Sequence, residues 1–187
     1  MHVFGQDGVT LLTTLGGMPP AEGTVRDLIE AALRDSDPDG PLRWHVISLL
    51  RQRGDLESFI EARRLCAADT VAERLLGVDI MGMLRPFADR TLPVLRYLAA
   101  SENDAMVLYS VLIAFGHLGD PRSLPSVIDL AGHDDARVRY GAAYALHHVL
   151  GDPPDPAGLD MLRTLAGDSD ADVAGWASLG VALRTAR

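Results

Sequence analysis

With 187 residues, the chain is long enough for one domain with a sizeable core. Hydrophobic residues at 48% and charged residues at 23% exclude an intrinsically disordered chain, and 5% aromatics, with Ala and Leu dominating the apolar supply, favour helix packing over β-sheet. The 17 Lys and Arg against 26 Asp and Glu leave a formal charge of −9, the wrong sign for phosphate-backbone binding, so no nucleic-acid partner is expected.

In chain order, the first segment, MHVFGQDGVTLLTTLGGMPP, shares none of the periodicity that follows. It lacks the basic region and long apolar core of a secretory signal, and no run in the chain approaches 18 apolar residues. A cytoplasmic protein with no membrane span is therefore the expectation. Residues 1–20 are read as an N-terminal arm or cap, with Val9, Leu11, Leu12 and Leu15 available to cover an exposed end. Residues 21–187 are read as a single domain.

From residue 24 onward the sequence repeats. A helix-start column falls at Leu42, Glu73, Met106, Val138 and Val173, with successive spacings of 31, 33, 32 and 35. Three residues before each stands Asp39, Thr70, Asn103, Asp135 or Asp170. Each is a residue type whose side-chain oxygen can accept an orphan amide at a helix start. Gly54, Gly119 and Gly151 follow 12 or 13 residues after their anchors, where a left-handed glycine stops a helix. TLPVL (91–95) and SLPSV (123–127) place Thr91 or Ser123 as caps, with Pro93 or Pro125 in the first turn.

These marks predict first helices of each unit at about 24–34, 56–67, 91–100, 123–132 and 156–167. The second helices are predicted at about 41–53, 71–85, 105–118, 136–150 and 171–185. The expected fold class is all-α, a right-handed α-solenoid of about five antiparallel helix pairs, each burying its apolar side on its neighbours.

The clearest copy of the unit is Asp135, Val138, Arg139, Ala142, Ala143, Ala145 and Leu146. Together with SDADVAGWASLGVAL (169–183), it resembles HEAT repeats of the short, phycobilisome-lyase type. Their pattern runs aspartate, two residues, Val-Arg, two residues, Ala-Ala, one residue, Ala-Leu. The first three units match in outline: Arg43 stands at the arginine position, while Val107 and Ala174 replace it. The resemblance covers most of the chain. It implies a solenoid whose second helices line a concave surface, and it leaves the function open because such arrays serve many roles.

In the fourth unit, Val138, Ala142, Ala145, Leu146 and Val149 follow the spacing of a buried stripe, leaving Tyr140, Tyr144 and His147 or His148 on another face. On the implied geometry that face points into the groove. Column for column, the equivalents are Trp44 and Ser48, Leu75 and Asp79, Leu108 and Leu112, and Gly175 and Leu179. One register further lie His45, Leu76, Tyr109, Gly141 and Trp176. Trp44, Asp79, Tyr109, Tyr140, Tyr144 and His148 are thus the candidate contacts for a protein or peptide partner, with Tyr109 and Trp176 alternatively packing between repeats. Arg139 is expected to reach a neighbouring turn's aspartate and hold consecutive repeats in register.

The acids concentrate in the turns, DSDPD (35–39), SEND (101–104), HDD (133–135) and DSDAD (168–172), where carboxylates oppose the positive helix ends. No catalytic residue, metal ligand or cofactor is assigned. HExxH, paired His-Glu, GxSxG and phosphate-binding glycine motifs are lacking, and adjacent His147 and His148 point about 100° apart on a helix. Cys66, the only cysteine, permits no internal disulfide and no Cys-based zinc cluster; it is expected to be buried and inert. Two enzymatic relatives stay open as alternatives. Alkylpurine DNA glycosylases use Trp, Asp and Arg, a set that Trp44, Asp79 and Arg43 could mimic, and bilin lyases offer a repeat-lined cleft with no motif traceable here.

Overall fold

Most helix starts in this chain fall where a side chain can cap them. The computed structural model describes residues 23–35 and 37–185; the arm or cap expected at 1–20 lies outside these residues. Five helix pairs follow one another. They are α1 (Val25–Arg34) with α2 (Pro41–Arg53), α3 (Leu56–Leu65) with α4 (Val71–Met83), and α5 (Ala88–Ser101) with α6 (Ala105–Leu118). Then come α7 (Leu124–Leu130) with α8 (Ala136–Val149), and α9 (Pro156–Leu165) with α10 (Ala171–Thr185). The described residues hold no strand, and no helix among them is long and apolar enough to cross a membrane. The fold is an α-solenoid.

Thr70, Asp135 and Asp170 cap the second helices as expected, accepting from the amides of Glu73, Arg137 and Val173 at 3.3, 2.9 and 3.1 Å. Two caps sit one residue later than the sequence column. Asp104, not Asn103, accepts from Met106 and Val107 at 2.9 and 3.2 Å. Gly40, not Asp39, precedes α2, where Pro41 at the first position needs no amide partner. Thr91 is no cap either. A 3-10 turn at Arg85–Phe87 starts α5 early, so Thr91 is buried and Pro93 lies inside the helix. Ser123 does precede α7, yet its hydroxyl donates to the Asp120 carbonyl instead of capping. The stops hold: Gly54, Gly119 and Gly151 have φ of 55°, 64° and 77°, a region costly for any residue with a β-carbon.

The second helices pack on one another far more closely than the first helices do, through the series α4, α6, α8, α10. Small residues make this possible. A β-carbon on Gly82 of α4 would stand 2.8 Å from that of Ala114 on α6. Tight spacing on one side and splay on the other curve the array, so the second helices line its inner face. The interior between the layers is filled by buried Leu76, Ile80, Val111, Leu112, Phe115, Ala142, Leu146 and Val149.

Candidate binding groove

The one-residue cap shift at Asp104 decides what the inner face displays. Because a residue turns a helix by about 100°, counting from Asp104 moves the displayed column from Leu108 and Leu112 to Tyr109 and Ile113. Leu108 and Leu112 are accordingly buried, 2% and 0% exposed, which corrects their assignment to the groove. Tyr109 and Ile113 line the inner surface instead.

Two adjoining cavities open there. One, of about 110 Å³, is walled by Pro38 and Asp39 from the turn before α2, Trp44 from α2, Leu75 and Asp79 from α4, and Met106, Tyr109, Ser110 and Ile113 from α6. The other, of about 300 Å³, is walled by Met106, Tyr109, Ala136, Arg137 and Tyr140, with Asp170 and Asp172 on the α10 side. Met106 and Tyr109 serve both.

From Tyr109 an unbroken aromatic string crosses three helices. Ring centroids lie 6.2 Å apart for Tyr109–Tyr140, 6.0 Å for Tyr140–Trp176, 5.7 Å for Trp176–Tyr144 and 4.7 Å for Tyr144–His148. Both Trp176 contacts are edge-to-face, the arrangement the ring quadrupoles favour. Trp176 and Tyr109 are therefore packed between repeats and part of the inner face at once. Tyr109, Tyr140 and Tyr144 are half-buried, whereas Trp44, 40% exposed, and His148 are open to solvent. Tyr144 lies over Gly116, where a β-carbon would clash with its ring. Burial pushes the Tyr109 and Tyr144 hydroxyls up and holds the His117 and His148 imidazoles below their usual value.

Asp79 stands in the groove wall with its carboxylate already engaged. Arg43 Nη2 donates to Oδ2 at 2.7 Å, and the Ser110 hydroxyl donates to Oδ1. Burial pushes this carboxyl above the usual range, opposed by the Ser110 and Arg43 hydrogen bonds. Trp44, Asp79 and Arg43 do converge, but the guanidinium is only 3% exposed and is spent on the carboxylate.

Arg139 lies off the groove. Its Nε and Nη2 donate to both oxygens of Asp168 at 2.8 and 3.0 Å, and Nη1 donates to the carbonyls of His133 and Asp134. The Arg139 hydrogen bond holds Asp168 below the usual carboxylate range. The same device occurs two repeats earlier. Arg74 donates to Glu102 at 2.6 and 3.2 Å and to the carbonyls of Ala68 and Asp69. Sequence reasoning passed over Arg74, although it directly follows the Glu73 anchor as Arg139 follows Val138. Ser110 and Met106 were also missed, for a different reason: nothing in their residue type marks them until the helices are stacked. Cys66 is buried with Sγ 3.5 Å from Met81 Sδ, and burial pushes the thiol up to about 12. Among the described residues no three His, Cys, Asp or Glu side chains gather as a metal site.

The family model for HEAT repeats matches residues 72–147 and again 92–182, together more than half of the chain. The chain is a HEAT-repeat protein. The crystal structure of the E. coli protein YibA superposes on it with a TM-score of 0.72 at 18% identity, covering 100% of this chain and 66% of that one. The likeness is one of fold, and this HEAT-repeat protein spans about two thirds of its neighbour's length. No functionally curated protein matches it.

Proposed function

We propose that this HEAT-repeat protein is a non-catalytic interaction module of the cytoplasm, a single solenoid domain over residues 21–187 that binds a partner protein or peptide along its concave groove as scaffold, regulator or neutralising partner. The observation that carries this reading is the continuous aromatic string from Tyr109 to His148, whose Tyr109 and Tyr140 wall two adjoining cavities together with Trp44. Rigid aromatic side chains on stacked helices supply contact area at little entropic cost, and such residues dominate binding energy at protein interfaces. Trp44, Tyr109, Tyr140, Tyr144 and His148 are the proposed contacts, with Asp79 shaping the wall through its bond to Arg43.

Affinity capture from the native host, compared between the native chain and Trp44→Ala and Tyr140→Ala variants, tests it. A partner retained by the native protein should be lost from both variants while their helical circular dichroism stays native. A partner held equally by all three would place its site elsewhere.

The alternative is an alkylpurine DNA glycosylase-like activity, favoured by the convergence of Trp44, Asp79 and Arg43 at one wall. The spent Asp79 carboxylate and the net charge of −9 count against it. Retardation of duplex DNA in a gel at physiological salt would favour this alternative over the interaction module.

A further inference from the structure

Both cavities combine aromatic and apolar walls with carboxylates at the rim, and that combination specifies an occupant. The cavity at Trp44 is walled by Trp44, Leu75, Met106, Tyr109 and Ile113; of its two carboxylates, Asp79 is engaged by Arg43 and Ser110, and Asp39 stands exposed at the mouth. Away from Asp39 it offers apolar surface. The cavity at Tyr140 has two aromatic walls, Tyr109 and Tyr140, and an acidic rim of Asp170 and Asp172. Asp170 spends Oδ1 on the amides of Asp172 and Val173. Among the described residues, its Oδ2 and the whole Asp172 carboxylate have no hydrogen bond or salt bridge. The one cation on this rim, Arg137, is tied to Asp135 at 2.7 and 3.1 Å. Aromatic faces beside unsatisfied carboxylates attract a cation on two counts, through the ring quadrupole and through direct charge pairing. At about 300 Å³ the cavity lies at the lower end of ligand-site sizes, suited to one long side chain.

We propose that the groove recognises an extended segment of a partner protein that carries an arginine or lysine beside a bulky apolar residue. The cation seats against the Tyr109 and Tyr140 rings beside Asp170 and Asp172, and the apolar side chain seats against Trp44 and Ile113. This rests on the interaction-module reading and adds the partner's chemistry. The shared Met106 and Tyr109 place the two seats side by side, so near neighbours in one segment reach both. The chain's acidic charge steers a basic segment toward the groove.

The test is selection of a random dodecapeptide phage library on the full chain, followed by titration of enriched peptides. Emission from Trp44 and Trp176, the only two tryptophans, reports on both parts of the groove. Enriched peptides should carry Arg or Lys beside a bulky apolar residue, and Arg→Glu in the peptide should weaken binding by about tenfold or more. The Asp170→Asn, Asp172→Asn double variant should also weaken binding about tenfold with only a small fall in melting temperature, because Asn keeps the cap at 170 and the lost charge costs only the helix-dipole contribution. Peptides that are neutral or acidic, or indifferent to the double variant, yet lost on Tyr140→Ala or Trp44→Ala, overturn the cationic partner and leave the interaction module standing. No enrichment, or binding indifferent to all of these variants, overturns both.

Discussion

Arg43 and Arg139 both stand one residue after a helix-start anchor in the sequence, and the structure gives them opposite tasks. Arg139, like Arg74, is the fourth residue after its helix cap, on the side of α8 that meets the next turn, and clamps Asp168 there. Arg43 is the third residue after Gly40, the position held by Val107, Val138 and Val173 in other repeats, all of them buried. The single-residue shift of the α2 cap turns Arg43 inward, where it is 3% exposed and meets Asp79 across the groove wall. Cap position therefore decides whether an arginine joins consecutive turns or is buried behind the inner surface.

The contrast predicts unequal losses. Arg43→Ala should be the most damaging, lowering stability by about 3–5 kcal/mol in denaturant melts, because it strands a buried carboxylate. Replacing the pair together, Arg43→Met with Asp79→Leu, should restore most of that loss. If the double variant recovered little, the Ser110 bond to Asp79 would carry more weight than the ion pair.

Arg74→Ala and Arg139→Ala should each lower stability by about 1–3 kcal/mol, since each removes bonds to one partly buried carboxylate and two carbonyls. The two clamps share no partner, so the losses should add. A cost for Arg139→Ala as large as that for Arg43→Ala would erase the distinction between clamp and wall.

The histidines predict a smaller, pH-dependent effect confined to the later repeats. His117, His147 and His148 are all held below the ordinary 6.5, first of all by burial. The folded chain thus binds fewer protons than the unfolded one near that pH. The resulting stability is present above about 6.5 and is lost as pH falls through the lowered folded values. Asp79, pushed upward by burial, offsets part of the fall. Melting temperature should drop between pH 7 and 5, and the drop should shrink in a His117→Gln, His147→Gln, His148→Gln variant. Smallest of all is Arg137→Ala: its pairing with Asp135 is solvent-exposed, so the melting temperature should not change measurably.

Much of the groove was legible beforehand. Tyr140, Tyr144 and His148 followed from the apolar stripe of α8 by helical geometry, and Trp44 and Asp79 followed by column. Two of the errors share one cause. A column of cap-type residues permits either of two adjacent capping positions, in Asn103-Asp104 as in Asp39-Gly40, and the sequence cannot rank them when both suit a helix start. That slip misassigned Leu108 and Leu112, and it hid the difference between Arg43 and Arg139.

The sequence by itself determined the repeat length, the helix pairs, the three glycine stops and the acidic turns, because each rests on local backbone chemistry within a dozen residues. Tertiary structure alone decided which residues from five different helices meet: the Asp79 carboxylate closed by Arg43 and Ser110, the aromatic string from Tyr109 to His148, and the open acidic rim of Asp170 and Asp172. Those pairings join residues about thirty positions apart, and only the stacking of one repeat on the next sets their distance.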